Sequence, residues 1–199
     1  MRTFEQAIEH RRSYYSISNQ SPVSDSEIIE IIYHAVKHVP SAFNSQSTRI
    51  AILLGDNHRK LWEITKNILR EMKPPGSFGQ TEIKINSRFA CGYGTVLFFE
   101  DRDVIDNLKK SHSTYKDRFD EWSVQTCAMH QFAVWAMLED VGFGASLQHY
   151  NPLIDEAVEK EFVIPASWKL NAQMPFGVPT ADPGPKEFDD MISRVKAYI

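Results

Sequence analysis

VQTCAMHQFAVWAMLEDV, residues 124–141, and the GFGASLQHYNP that follows at 142–152 are the part of the chain from which its architecture can be read. The first segment is apolar on nearly all faces, which a helix sustains only when protein surrounds it on most sides, so it predicts a central, buried spine. Gly142 stands where a helix end favours positive φ, and Gly144 and Ala145 leave the backbone nearly bare. Exposed amides beside a buried helix suit close approach by a flat ligand, and Gln148, His149, Tyr150 and Asn151 place polar groups next to them. A plain helix stop before a turn at Pro152 accounts for the same residues.

With 199 residues the chain is long enough for one domain, 1–199, with a real core, and no linker-like run divides it. Its 42% hydrophobic residues are ordinary for a globular protein, and its apolar runs are too short to cross a bilayer, so no membrane partner is expected. The opening MRTFEQAIEHRR carries two glutamates and no apolar core of a secretory signal. Cys91 and Cys127 lie far apart in apolar surroundings, which suits buried thiols and a cytoplasmic location. A net charge of −4 provides no electrostatic footprint for nucleic acid, so any basic site is local and built for a small anion.

Outward toward the N-terminus, residues 3–12 read as a short helix ending in Arg11-Arg12-Ser13. Two guanidinium forks and a hydroxyl make a phosphate cradle, although an arginine pair at a helix end is also commonly solvated. Ser24 and Glu27 form a capping box for a second helix with an isoleucine stripe, which stops at Pro40. His34 and His38, four apart on it, have the spacing of a metal-binding pair or of two solvated imidazoles. The small, amide-bearing loop Ser41-Ala42-Phe43-Asn44-Ser45-Gln46-Ser47 offers the donors and acceptors that a heterocycle needs.

Residues 50–54 read as a buried strand, and Asp56 caps a helix that runs to the Lys73-Pro74-Pro75-Gly76 turn. Residues 78–91 read as weakly helical, with Phe78 either exposed enough to be a pocket lid or, as is commoner for a single Phe, packed in the core. Thr95-Val96-Leu97-Phe98-Phe99 is a strand buried on both faces, a helix covers residues 104–111, and residues 115–122 lead into the spine. Beyond the glycine stretch come a helix over 153–162, a strand over 169–177 and a last helix over 186–199. The Pro- and Gly-rich tail of about 178–199 has no partner in one compact chain and is expected to embrace a second copy. There is no GxGxxG after a strand, no GxxxxGK[ST], no GxSxG and no CxxC, which removes most of the case for dinucleotide folds, P-loop enzymes, serine hydrolases and zinc ribbons.

Taken together and in order, Arg11-Arg12-Ser13, the 40–47 amide loop, the Trp135-bearing spine and Gly144-Ala145-Ser146-Leu147-Gln148-His149-Tyr150-Asn151-Pro152 resemble the flavin-dependent nitroreductase family. The resemblance is strongest to its short branch of fatty-acid-repression and stress-response members, and Thr95-Val96-Leu97-Phe98-Phe99-Glu100-Asp101 is similar to that branch's central strand. It implies an α+β fold, a small mixed sheet wrapped by helices, and an intertwined homodimer with FMN at the interface.

By the same resemblance Arg11, Arg12, Ser13 and Lys186 would hold the FMN phosphate. Ser41, Phe43, Asn44 and Gln46 would reach the flavin from the other subunit, and the backbone of Gly144, Ala145, Ser146, Leu147 and Gln148 would lie beside its ring. Tyr15 stands where many members carry a basic residue near flavin N1 and O2. Asn67 or Lys66 could reach that edge, with Lys66 expected to face solvent. The implied activity is ping-pong hydride transfer from NADH or NADPH through FMN to small-molecule electron acceptors, nitroaromatics or quinones, with no protein acid, base or nucleophile and with Phe43 and Phe78 lining the pocket. The Tyr15 departure leaves an FMN-binding sensor or scaffold as the alternative. A metal enzyme using His34, His38 and His149 is a third possibility.

Overall fold

The computed structural model describes residues 2–74 and 76–199, so Pro75 of the expected turn lies outside the described residues. The elements in order are α1 (Phe4–His10), β1 (Ile17–Ser18), α2 (Asp25–His38), β2 (Thr48–Leu54), α3 (Gly55–Glu71), α4 (Gly79–Ile85), β3 (Gly94–Asp101), α5 (Arg102–Ser111), α6 (Phe119–Asp140), β4 (Gly144–Ala145), α7 (Asp155–Phe162), β5 (Trp168–Pro179) and α8 (Met191–Arg194). A π-helical turn at Asn86–Ala90 follows α4 directly.

β3 organises the molecule. All eight of its residues are buried, the apolar Val96–Phe99 run as expected and Glu100 and Asp101, read as the strand's end, along with it, and it pairs antiparallel with β2 on one side and β5 on the other. The strand order is β1-β5-β3-β2, with β4 pairing β5 beside β1. The named strands pair antiparallel, and the parallel element of this mixed sheet is the bridge between Ser13 and Ala145. Because side chains alternate along a strand, Val96 and Phe98 join one core with α2 and α6, while Leu97 and Phe99 join a second core with α3, α4 and α7. Two helical layers therefore sandwich the sheet, and the α+β fold is as expected.

The capping box of α2 is present in full, with Ser24 accepting from the Glu27 amide and Glu27 from the Ser24 amide. α3 begins one residue before Asp56, at Gly55, and Asp56 lies in its first turn instead of capping it. α6 starts at Phe119, so residues 115–122 are partly drawn into the spine, and its burial is one-sided. Cys127, His130, Val134 and Leu138 pack inward, whereas Val124, Met129 and Phe132 are exposed, at 58%, 42% and 37%. One chain supplies a sheet and α2 against a single face of α6, and the expected all-round burial is not met within it. The tail also differs from expectation: the helix foreseen over 186–199 shrinks to the single turn of α8, because residues there bury nothing against the chain and a short helix without packing is marginal.

Candidate functional site

A cavity of about 620 Å³ lies between residues 11–16 and residues 181–187, joining Arg11, Arg12, Ser13 and Tyr15 to Lys186. Segment 11–14 leaves α1 with three of its amides tied down. Arg11 N donates to Ala7 O, Arg12 N to the Glu139 carboxylate and Tyr14 N to Ala145 O. The Arg12 guanidinium reaches the Gly184 carbonyl at 2.5 Å, which latches the tail to the arginine pair. The Arg11 guanidinium lies 4.4 Å over the Trp135 ring. Three cations against Asp182 and Glu187 leave the lining net positive, which suits an anion held by several donors.

The 144–148 stretch is built differently from its sequence reading. Gly144, Ala145 and Ser146 are buried, and the amides of Ser146 and Gln148 donate to Pro175 O and Gln173 O on β5. The expected row of free amides is thus largely taken up by the sheet. Leu147 lies between those two and faces the other way by strand alternation, and among the described residues its N–H meets no acceptor. Gln173 clamps the stretch further, its Oε1 accepting from Tyr150 N at 2.7 Å and its Nε2 donating to Asn151 Oδ1 at 3.2 Å. Gly144 has no room for a side chain, since a Cβ there would lie 2.7 Å from Tyr14.

Ser41, Phe43, Asn44 and Gln46 do not line this cavity in the single chain. Their loop is shaped by three non-glycine residues at positive φ, Phe43 (56°), Asn44 (50°) and Gln46 (47°), a strained arrangement that the surroundings must enforce. Ser41 Oγ accepts from Gln46 N at 2.9 Å, and the half-exposed Phe43 ring packs among His112, Tyr115, Phe119 and Trp122. Phe78 is buried, at 8%, beneath the Arg70 guanidinium, so the exposed lid is not what forms. Asn67 is exposed and accepts from Arg70. Lys66, expected to face solvent, is buried with its Nζ held by Glu63 and Asn86, because α3 presents it to the π-helical turn. The His34 and His38 rings lie 4.5 Å apart, tilted by 44°, and among the described residues no three His, Cys, Asp or Glu side chains gather as metal ligands.

Two residues beside the cavity escaped the sequence reading. Arg88, on the π-helical turn, sets its guanidinium 5.5 Å over the Tyr15 ring. Glu139 is 2% exposed, and burial pushes its carboxyl up to about 7. The Arg12 amide, the charge of Arg11 and the nearby Trp135 indole, whose N–H faces it without closing a full hydrogen bond, work against that rise. His10, at 3.7 Å from Glu139, is lowered by burial and by Arg2, with Asp140 opposing. The signal for Arg88 was only its place in a weakly helical segment, and the sequence around Glu139 carries none.

The model of the nitroreductase family matches residues 8–178. The Saccharomyces cerevisiae nitroreductase-type proteins HBN1 and FRM2 are 33% and 30% identical over 189 and 191 residues, covering 94% and 95% of this chain and 93% and 94% of their own. The solved nitroreductase CinD from Lactococcus lactis, in complex with chloramphenicol, is 40% identical with a TM-score of 0.90, over 98% of this chain and all of that one. A more distant neighbour from Desulfovibrio desulfuricans, solved with FMN, shares the fold at 19% identity and a TM-score of 0.67, over 100% of this chain and 98% of its own.

Proposed function

From the premise that this chain belongs to the nitroreductase family of oxidoreductases, we propose that it is an FMN-dependent NAD(P)H oxidoreductase acting on nitroaromatics or quinones. The observation that carries the proposal is the cavity that brings Arg11, Arg12 and Ser13 together with Lys186. Its net positive lining fits a phosphomonoester, and the unmatched Leu147 N–H fits an acceptor atom on a planar ring. Bound FMN would supply the two-electron chemistry, accepting reducing equivalents from NADH or NADPH and passing them to the acceptor in a ping-pong cycle.

The chain's own residues bind and orient. Arg11, Arg12, Ser13 and Lys186 would hold the phosphate with charge-assisted hydrogen bonds. Gly144, Ala145, Ser146 and Gln148, fixed by β5, would form a rigid wall beside the ring, with the Leu147 amide directed at it. Arg88 over Tyr15 brings a cation to the region where Tyr15 replaces a basic residue, and this favours turnover over passive storage of flavin. A homodimer would cover the exposed face of α6 and the tail, and would carry Ser41, Phe43, Asn44 and Gln46 to the partner's ring. CinD has also been solved with 4-nitrophenol, and a flat, electron-poor aromatic is the acceptor class that this reading assigns to the present chain.

The test is the visible spectrum of the purified protein under anaerobic conditions. A flavin spectrum that bleaches with NADH or NADPH and returns on adding a nitroaromatic or quinone is expected. A colourless protein that takes up no added FMN overturns the proposal.

A further inference from the structure

Trp135 and Glu139 stand one turn apart on α6 and serve the same pair of arginines. The Trp135 ring supports the Arg11 guanidinium, and both Glu139 carboxylate oxygens accept the Arg12 backbone N–H, at 2.9 and 3.1 Å. A carboxylate this buried is ordinarily matched by a cation. Among the described residues the only ion pair here is the 3.7 Å approach of His10, itself half exposed. Arg2 and Asp140 also face the carboxylate from the N-terminal segment and its own helix, and Tyr14 from the loop, without hydrogen-bonding to it. The hydrogen bonds Glu139 does make go to one main-chain amide, at the point where the chain turns from α1 into the cavity wall.

Of the ties that fix residues 11–14, those of Arg11 and Tyr14 are to backbone carbonyls. The Arg12 tie alone depends on a side chain. We infer that Glu139 is a positioning residue for flavin phosphate: by holding the Arg12 amide on the inner side of the chain, it directs the Arg11, Arg12 and Ser13 side chains into the cavity. This rests on the flavin reading of the site. Glu139 does not line the cavity, so it acts on the phosphate through the arginines.

The experiment measures equilibrium binding of FMN and of riboflavin, which lacks the phosphate, to flavin-stripped full-length protein by quenching of flavin fluorescence. Glu139→Met keeps the bulk and removes the acceptor, whereas Glu139→Gln keeps one acceptor oxygen. Loss of a hydrogen bond to a charged group predicts about tenfold weaker FMN binding for Glu139→Met. Riboflavin binding should stay within about twofold of wild type, and Glu139→Gln should recover most of the FMN affinity. If the Met variant does not fold, Glu139→Ala, with no long side chain to accommodate, carries the same expected ratio. Equal losses for FMN and riboflavin, or no loss for either, overturn the role of Glu139. A wild-type protein that binds neither flavin, or binds riboflavin as tightly as FMN, overturns the phosphate reading itself and is distinguishable from failure of the variants alone.

Discussion

Replacing Glu139 by Gln should alter the way stability depends on pH, by an amount that follows from its burial. Desolvation raises the carboxyl from its ordinary 4.5 to about 7. A group that binds its proton more tightly in the folded chain than in the unfolded one makes stability fall as pH rises from 4.5 through 7, after which the loss is complete. Between pH 5 and pH 8 that loss is about 2.5 kcal/mol. Gln carries no charge at either pH, so Glu139→Gln should gain about 2.5 kcal/mol on wild type across this range, whatever their difference at pH 5.

The wild-type curve alone conceals the effect. His58, buried between Thr95 and Ala90, is lowered by burial from 6.5 to about 4. The unfolded chain takes up that proton first, so the stability His58 preserves is present above 6.5 and is lost as pH falls through 4. The two contributions oppose each other between 4.5 and 6.5, and subtracting wild type from variant removes the histidine. The assay is urea unfolding of both proteins at pH 5, 6, 7 and 8, followed by tryptophan fluorescence. A stability difference that is flat across the four pH values would refute the raised titration of Glu139.

His58→Asn should flatten the acid limb, sparing about 3 kcal/mol of pH-dependent loss between pH 6.5 and 4, as read from the same unfolding series. Gly177→Ala would drive a Cβ into the Ser18 carbonyl oxygen, so β1 and β5 must part; a loss of about 3 kcal/mol or more is expected, and an unchanged Tm would contradict the close approach. Burial, reinforced by Glu100, pushes the Cys127 thiol up to about 12, so iodoacetamide at pH 8 should label it only after unfolding, as judged by mass spectrometry. Arg88→Gln should lower kcat/KM with a nitroaromatic about tenfold while leaving FMN binding nearly intact; equal turnover would remove Arg88 from the charge balance of the ring.

Strong local signals were legible in the sequence. The apolar run of β3, the Ser24–Glu27 capping box and the stop at Gly142, which takes φ 101°, each depend on neighbours a few residues away. The family pattern grouped Arg11, Arg12 and Ser13 with Lys186, and the structure brings these four residues to one cavity. What failed depended on distant partners. β1 and β4 are two residues long and exist because β5 extends past β3 to receive them, so they carry no periodicity of their own. Lys66 looks like any solvated lysine until the π-helical turn presents Asn86 to it. Glu139 ends a helix in an ordinary Leu-Glu-Asp sequence, and the amide it satisfies lies 127 residues away. The exposed half of α6 was misjudged for a related reason: an apolar stretch reads as covered on every side, and what packs against each side is set by residues far from it in sequence.

The cavity's two walls are also separated in time. The Arg12 guanidinium and the Gly184 carbonyl that latch it are 172 residues apart. At a synthesis rate of about 5–20 residues per second, the arginine pair waits roughly ten to thirty seconds on the ribosome before its counterpart exists. During that interval the emerging chain has one wall of the cavity and not the other. Closure of the cavity is therefore a late event in the life of each molecule, and a protease that clips the exposed tail after synthesis returns the protein to that earlier, half-built condition.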